Sequence, residues 1–246
     1  MSASFRLTVG SQGPRQQSTT TCGSACVTVA RMLVDPSFAR WVTAGEGHPV
    51  PGADGVTYAE RFAAWEQTVQ ERTNDWSRPR GGPSLAWPRS LGTPPWGLRH
   101  ELEDGASHAG TRYRIISVRA HSEESLRARY RRLLDLVVEG EPAALYVGGR
   151  LLPRHITLVL PGDRPGALSV YEPSSGRVLL LGEQTFVSQR LDLGGWRVPW
   201  LLVQPTGHRR AWNGSPETAP WRVPQLSPGP SPDLLREEDS PSSSSA

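Results

Sequence analysis

The chain has 246 residues, of which 37% are hydrophobic, with a formal net charge of +3. This length and apolar content suit one large domain, or two small ones, with a real core. The charge is too small and dispersed to indicate a nucleic-acid partner. Only two cysteines occur, which excludes a disulfide-rich scaffold.

No apolar run reaches the roughly 18 residues that a membrane-spanning helix needs. The first fifteen residues, "MSASFRLTVGSQGPR", also lack the apolar centre of a signal peptide. We therefore expect a cytoplasmic protein with no membrane span and with free thiols.

The first half of the chain is predicted to be mainly helical. "FRLTV", 5–9, is predicted to form a short strand in an extended lead-in. A helix is predicted over 21–33, with Thr20 or Thr21 as its N-cap, because small or apolar residues recur there at helical spacing. Further helices are predicted at 57–73 and 94–103, in a region rich in Gly, Pro and Trp, with a loop over 77–94 between them.

The second half alternates like β-structure around one long helix. A strand is predicted at 112–120 and a helix at 123–139, whose basic face is interpreted as solvated rather than as a nucleic-acid site. Five short β-rich runs follow: 142–148, 155–161, 167–173, 177–182 and 196–205. Close spacing of such runs favours an antiparallel sheet. The predicted fold class is α+β, with an N-terminal helical part packed on a C-terminal antiparallel sheet.

The composition changes near residue 206, from which Pro, Ser and scattered charge dominate. Too little apolar surface is present there to offset the entropy of ordering. We predict one domain over 1–205 and a disordered tail over 206–246.

Cys22 is the first candidate for chemistry. It falls in the first turn of the predicted helix, where unsatisfied amides and the macrodipole favour a thiolate, the nucleophilic form of cysteine. Gly23 would leave room for a substrate near the backbone. Cys26, one turn later, belongs to the buried stripe.

His155 and Glu172 are the candidates for a base and its orienting partner. His155 opens the strand "HITLVL", and Glu172 ends the run "ALSVYE". In an antiparallel hairpin the start of one strand lies beside the end of the next, so these two side chains should be neighbours. The 133 residues from Cys22 to His155 match the roughly 130–150 typical of papain-type nucleophile and histidine.

Gln16 precedes Cys22 by six residues. Its side-chain amide could join the backbone N–H of Cys22 in holding a tetrahedral oxyanion. Gln17 competes for this role, and the spacing favours Gln16.

The order Gln16, Cys22-Gly23, His155 and Glu172-Pro173 resembles papain-like cysteine peptidases. Within them it is most similar to the bacterial bacteriocin-processing (double-glycine leader) peptidases and their stand-alone relatives. The resemblance spans about residues 10–204, with motif only at its two ends. It departs from the family in Glu172, where Asp or Asn is usual, and in Thr21, where an acidic residue is often found.

The resemblance implies a papain-like fold and a cysteine peptidase or amide hydrolase that uses Cys22, His155, Glu172 and Gln16 on a peptide or protein substrate. It implies no cofactor and no metal. Acyl transfer would use the same parts. One alternative stays open, a catalytically inactive papain-like interaction module. A zinc site from the cysteines and two histidines is disfavoured, since no histidine pair has ligand spacing.

Overall fold

The computed structural model describes residues 5–47, 55–75, 87–88, 91–119 and 121–209. The helices in these ranges are α1 (Cys22–Val34), α2 (Pro36–Ala44), α3 (Tyr58–Asp75), α4 (Pro95–Glu103), α5 (Glu123–Leu136) and α6 (Glu183–Val187). The strands are β1 (Thr111–Ser117), β2 (Ala143–Gly148), β3 (Pro153–Pro161), β4 (Leu168–Glu172), β5 (Arg177–Leu181) and β6 (Val198–Arg209). No helix of the described part is long and apolar enough to cross a membrane.

The strands form one sheet in the order β1-β6-β2-β3-β4-β5, with every neighbouring pair antiparallel. The hairpin β2–β3 pairs Val147 with His155, and the hairpin β3–β4 pairs Leu158 with Tyr171. Side chains alternate between the two faces of such strands. The α+β prediction, with helices first and an antiparallel sheet second, is therefore confirmed.

Helices cover both faces of the sheet. Ala144 and Tyr146 of β2 belong to a core cluster shared with α1, α2, α3 and α4, whereas Leu145 and Val147 belong to a cluster shared with α5 and α6. Burial on both faces accounts for the almost wholly apolar β2.

Helix α1 is buried nearly all round. It packs against β3 and against α2, α3 and α4, so most of its side chains lie inside the protein. A helix that is apolar on every side belongs at the centre of a core. Its small residues allow this close approach, and its N-terminus carries Cys22.

Two short helices were not predicted from the sequence. Asp35 is the N-cap of α2, and its side chain accepts the Phe38 amide at 2.9 Å; Pro36 lies in the first turn and Gly45 at the left-handed C-cap. This combination is a readable start and stop signal. Helix α6 has only five residues, too few for a periodic pattern.

The predicted strand over 5–9 is wrong. The chain instead meets the sheet slightly later, where Gly10 donates to the Val178 carbonyl at 2.9 Å and Gly13 donates to the Gly176 carbonyl at 2.7 Å. Alternation alone did not show which residues have a partner strand. This segment covers the β5 edge of the sheet.

Strand β6 runs through Arg209, four residues into the predicted tail. The remaining tail residues, 210–246, lie outside the described residues, as does most of the loop predicted at 77–94. The predicted division into a domain and a disordered tail stays a prediction.

Candidate active site

His155 and Glu172 form a buried hydrogen-bonded pair. His155 lies near the start of β3 and Glu172 ends β4, so the hairpin brings together two side chains 17 positions apart. Nε2 of His155 lies 2.7 Å from Oε1 of Glu172, and the two side chains are 6% and 4% exposed. The glutamate therefore bonds the imidazole directly, although its side chain is one methylene longer than that of an aspartate.

The turn after β4 satisfies the rest of the Glu172 carboxylate. Oε1 accepts the Ser174 amide at 2.8 Å, and Oε2 accepts the Ser174 hydroxyl at 2.8 Å and the Ser175 amide at 2.9 Å. Burial raises the pKa of Glu172, but the hydrogen bonds from His155 and the two serines outweigh it and hold this pKa well below its usual range. Glu172 is therefore a fixed, ionised acceptor. The sequence "EPSSG" carried this signal, which the sequence analysis missed.

The charge of His155 is set by its two neighbours. Burial lowers the pKa of His155, but hydrogen bonds and charge from Cys22 and Glu172 reverse this and raise it to about 9. Since Nε2 is taken by Glu172, the hydrogen bond to Cys22 falls to Nδ1. An imidazolium that bridges a carboxylate and a thiol suits a thiolate–imidazolium pair.

Cys22 is the first residue of α1 and is 1% exposed. Thr21 occupies the N-cap position as predicted, but its hydroxyl does not cap the helix. It accepts the Ser18 amide at 3.1 Å and donates to the Ser18 carbonyl at 3.0 Å. The first turn therefore has no side-chain cap, which leaves the electropositive helix start facing the sulfur.

The expected role of Gly23 is wrong. A methyl group at this position would lie 2.5 Å from Cβ and Oγ1 of Thr93 and 2.9 Å from Cδ1 of Ile156. The space that glycine leaves is filled by the protein itself. Gly23 lets the helix start dock against Thr93 and β3.

A segment before α4 approaches the cysteine from another side. Gly92 has φ +72°, and a methyl group on it would lie 3.7 Å from Sγ of Cys22. Trp87 Nε1 donates to the Gly92 carbonyl at 3.0 Å, and the Trp87 ring packs edge-on against Trp96 and Tyr146. These ring contacts hold Gly92 beside Cys22, which the Gly-, Pro- and Trp-rich composition of this region did not predict.

Gln16 lies beside the Glu172 turn. Its backbone N–H donates to the Pro173 carbonyl at 2.8 Å, and its side-chain Nε2 donates to the Ser18 carbonyl at 2.7 Å. One of its two amide hydrogens is thus engaged within the loop that leads to Cys22. The side chain of the competing Gln17 is exposed and donates to the Arg15 carbonyl at 3.1 Å.

A buried carboxyl on α3 supports the same loop. Glu66 is 1% exposed and accepts the Gln17 amide at 3.2 Å. Burial raises the pKa of Glu66 to about 7, against hydrogen bonds from the Thr21 side chain and the Gln17 amide. Sequence reasoning missed Glu66, because nothing in "AAWEQTV" separates a loop-holding glutamate from a solvated one.

Cys26 has the structural role expected of it. It is fully buried, its thiol donates to the Ile156 carbonyl at 3.6 Å, and burial raises its pKa well above the usual value. Within the described ranges, no group of three or more His, Cys, Asp or Glu side chains is placed to hold a metal ion.

No protein-family model and no curated protein matches the chain. Among solved structures, it is similar to the peptidase domain of Streptococcus ComA, a bi-functional ABC transporter involved in quorum sensing, at 15% identity and a TM-score of 0.35. That overlap covers 79% of this chain and 98% of the other. It is also similar to the Pseudomonas avirulence protein AvrPphB, at 9% identity and a TM-score of 0.44, over 79% of this chain and 96% of the other.

Proposed function

We propose that this protein is a cysteine peptidase or amide hydrolase in which Cys22 is the nucleophile, His155 the acid–base group and Glu172 the orienting carboxylate. The observation that carries the proposal is the chain of contacts from Cys22 through His155 to a Glu172 carboxylate that is held by four hydrogen bonds. A nucleophile, a base and a fixed third group are the parts that covalent acyl chemistry needs.

The first half-reaction acylates the cysteine. The Cys22 thiolate forms a C–S bond with the substrate carbonyl carbon, and the carbonyl electron pair moves to oxygen. The Cys22 backbone N–H and the remaining Gln16 amide hydrogen stabilise this oxyanion. As the tetrahedral intermediate collapses, the C–N bond breaks and the proton on Nδ1 of His155 passes to the leaving nitrogen.

The second half-reaction releases the acyl group. Nδ1 of the now neutral His155 takes a proton from water, whose oxygen attacks the thioester carbon. The C–S bond then breaks, which restores the thiolate and the imidazolium. Glu172 keeps Nε2 protonated throughout and so fixes which nitrogen faces the cysteine. An amine in place of water would make the same site an acyl transferase.

The substrate class that suits this chemistry is a peptide or protein amide, and the assay is hydrolysis of a peptide library with detection of the acyl-enzyme by mass spectrometry. We expect cleavage and an adduct at Cys22 in the wild type. Both should be lost in Cys22→Ala, and cleavage should be lost in His155→Ala.

Cys26→Ala is the matched control, since it removes the other thiol from the same helix, and it should retain cleavage. The result that counts against the enzyme is equal peptide turnover by wild type and Cys22→Ala with no adduct. That outcome would instead favour the inactive interaction module.

A further inference from the structure

A tight hairpin lies beside the His155–Glu172 pair. Leu193 and Trp196 exchange backbone hydrogen bonds of 3.2 and 3.0 Å, leaving Gly194 and Gly195 as the two central residues. Their φ values are +59° and +82°. Positive φ at both central positions is the signature of a type I′ hairpin turn, which accepts Asn, Asp or Gly.

The two glycines differ in what surrounds them. A methyl group on Gly194 would lie 2.9 Å from Cδ2 and 3.0 Å from Nε2 of His155, and 3.4 Å from Oε1 of Glu172. A methyl group on Gly195 would meet nothing within 4 Å. The turn geometry explains a glycine at either position, but only position 194 also requires that no side chain be present.

The hairpin is anchored so that this contact is fixed. Leu191 and Leu193 are each 3% exposed and belong to the core cluster on the α5 side of the sheet. Leu191 also donates to the Arg197 carbonyl at 3.1 Å. On the other flank, Trp196 lies against Gly149, where a methyl group would be 3.7 Å from its ring.

We propose that Gly194 is a positioning residue whose backbone caps the His155–Glu172 hydrogen bond, holding the imidazole plane in place and keeping water from its Nε2 proton. Water competing for that proton would weaken the bond, since hydrogen bonds are electrostatically stronger in a dry, low-dielectric site. This inference rests on the proposed function for its catalytic meaning. The contact between the Gly194 backbone and the imidazole can be tested without any catalytic activity.

The direct test measures by NMR how fast the His155 Nε2 proton exchanges with water. The resonance of this proton is assigned by its loss in His155→Ala. We expect a protected resonance in the wild type. Gly194→Ala should exchange it at least about tenfold faster, because the new methyl must push the ring or the turn aside. Gly195→Ala adds the same methyl at a positive φ with no contact, and should stay within about twofold of the wild type.

A second variant separates the protection of the His155 proton from the stability of the hairpin turn. Gly194→Asn creates Asn-Gly, a favoured type I′ dipeptide, yet still carries a Cβ facing His155. It should fold and still lose proton protection. If Gly194→Ala or Gly194→Asn folds and protects the proton as well as Gly195→Ala does, the proposal is wrong.

Failure of the proposed function would look different. If Cys22 in the wild type forms no adduct with peptide substrates, the enzyme assignment fails while the proton-exchange comparison still decides the cap. If the wild type is active, the acylation rate of Cys22 should fall in Gly194→Ala and stay near wild type in Gly195→Ala.

Discussion

At the scale of single residues, the site depends on the exact reach of Glu172. Its carboxylate touches His155 with one oxygen, and both oxygens accept hydrogen bonds from the Ser174–Ser175 turn. An aspartate, one methylene shorter, could not keep both sets of contacts without moving the strand end. The glutamate that departs from the resembled family therefore belongs to the geometry of this turn.

Replacing Glu172 should separate charge from length. Glu172→Gln keeps the size but removes the negative charge that supports the imidazolium, so we expect the His155 pKa to fall and Cys22 acylation to drop about tenfold or more. Glu172→Asp keeps the charge but loses the reach, and should also be impaired. Acylation rates across a pH series would check this, and a fully active Glu172→Asp would contradict the geometric account.

His155 should also make stability depend on pH. Its pKa is raised from the ordinary 6.5 to about 9 in the folded protein. Between these two pH values, His155 therefore keeps a proton in the folded state that it has lost in the unfolded state. Taken alone, this contribution is complete below about pH 6.5 and is lost as the pH rises to about 9. In the wild type a Cys22 thiolate gives up the proton that His155 keeps, so the loss is expected only in Cys22→Ala, where Glu172 alone supports the imidazolium.

Urea unfolding of Cys22→Ala at several pH values would measure this loss. The double variant Cys22→Ala/His155→Ala should lack this part of the slope. An unchanged slope in that variant would show that the imidazole does not carry the linkage.

At the scale of elements, α3 supports the loop that leads into α1 through one buried carboxyl. Glu66 has a pKa raised to about 7, so the folded protein binds a proton between about pH 4.5 and pH 7 that the unfolded chain has released. Burial raises the pKa of Glu66, whereas hydrogen bonds and charge raise that of His155. Each raised pKa, taken alone, makes stability fall as the pH rises.

Glu66→Gln should flatten the pH dependence of unfolding between about pH 4.5 and pH 7, because an amide cannot titrate. It retains one acceptor oxygen for the Gln17 amide, so the loop should stay folded. Glu71→Gln is the matched control, on the same helix and on an exposed residue. If the unfolding free energies of Glu66→Gln and Glu71→Gln depend on pH in the same way, Glu66 is not the group that titrates.

The packing of α1 against Thr93 and β3 requires a glycine, with no side chain, at position 23. Gly23→Ala would force its methyl into Thr93 and Ile156, and we expect a loss of about 1–3 kcal/mol of unfolding free energy, as for other overpacked cores. A double-mutant cycle with Thr93→Gly should show strong coupling, since that change empties the colliding space. Additive effects would mean that the two positions do not touch.

Much of this element pattern was predictable because it is local. Helices α3, α4 and α5 and the strands of the sheet follow from periodicity and turn residues in the sequence. Helix α2 was missed although its start and stop residues are local. The other exceptions, 5–9 and α6, are short segments whose state depends on partners far along the chain. Thr21 occupies the predicted N-cap position without capping the helix, because its hydroxyl bonds the nearby Ser18 and the distant Glu66 instead.

The candidate site was predictable only in part. The placement of Cys22, His155 and Glu172 follows from a helix start and one hairpin, both visible in sequence. The supporting residues Glu66, Gly92, Thr93 and Gly194 come from three distant parts of the chain, and only tertiary packing brings them to the site. A glycine in particular carries no chemical signal that shows what its absent side chain makes room for.

At the scale of the whole molecule, the N-terminal segment and the sheet meet at the site. The N-terminal segment runs along the turn after β4, with Gln12 Nε2 donating to the Ser175 carbonyl and the Tyr171 hydroxyl donating to the Pro14 carbonyl at 2.8 and 2.7 Å. The same segment continues into Gln16 and then Cys22. The helical part and the sheet therefore meet where the thiol, imidazole and carboxylate are in contact.

Cys22 and His155 are proposed to form a thiolate–imidazolium pair, which ultraviolet thiolate absorbance at about pH 6 would detect without any substrate. The buried Cys26, whose pKa is raised, should contribute nothing there. We predict one thiolate per chain in the wild type and in Cys26→Ala, and none in Cys22→Ala or His155→Ala. A wild type with no more thiolate absorbance than Cys22→Ala would contradict the account.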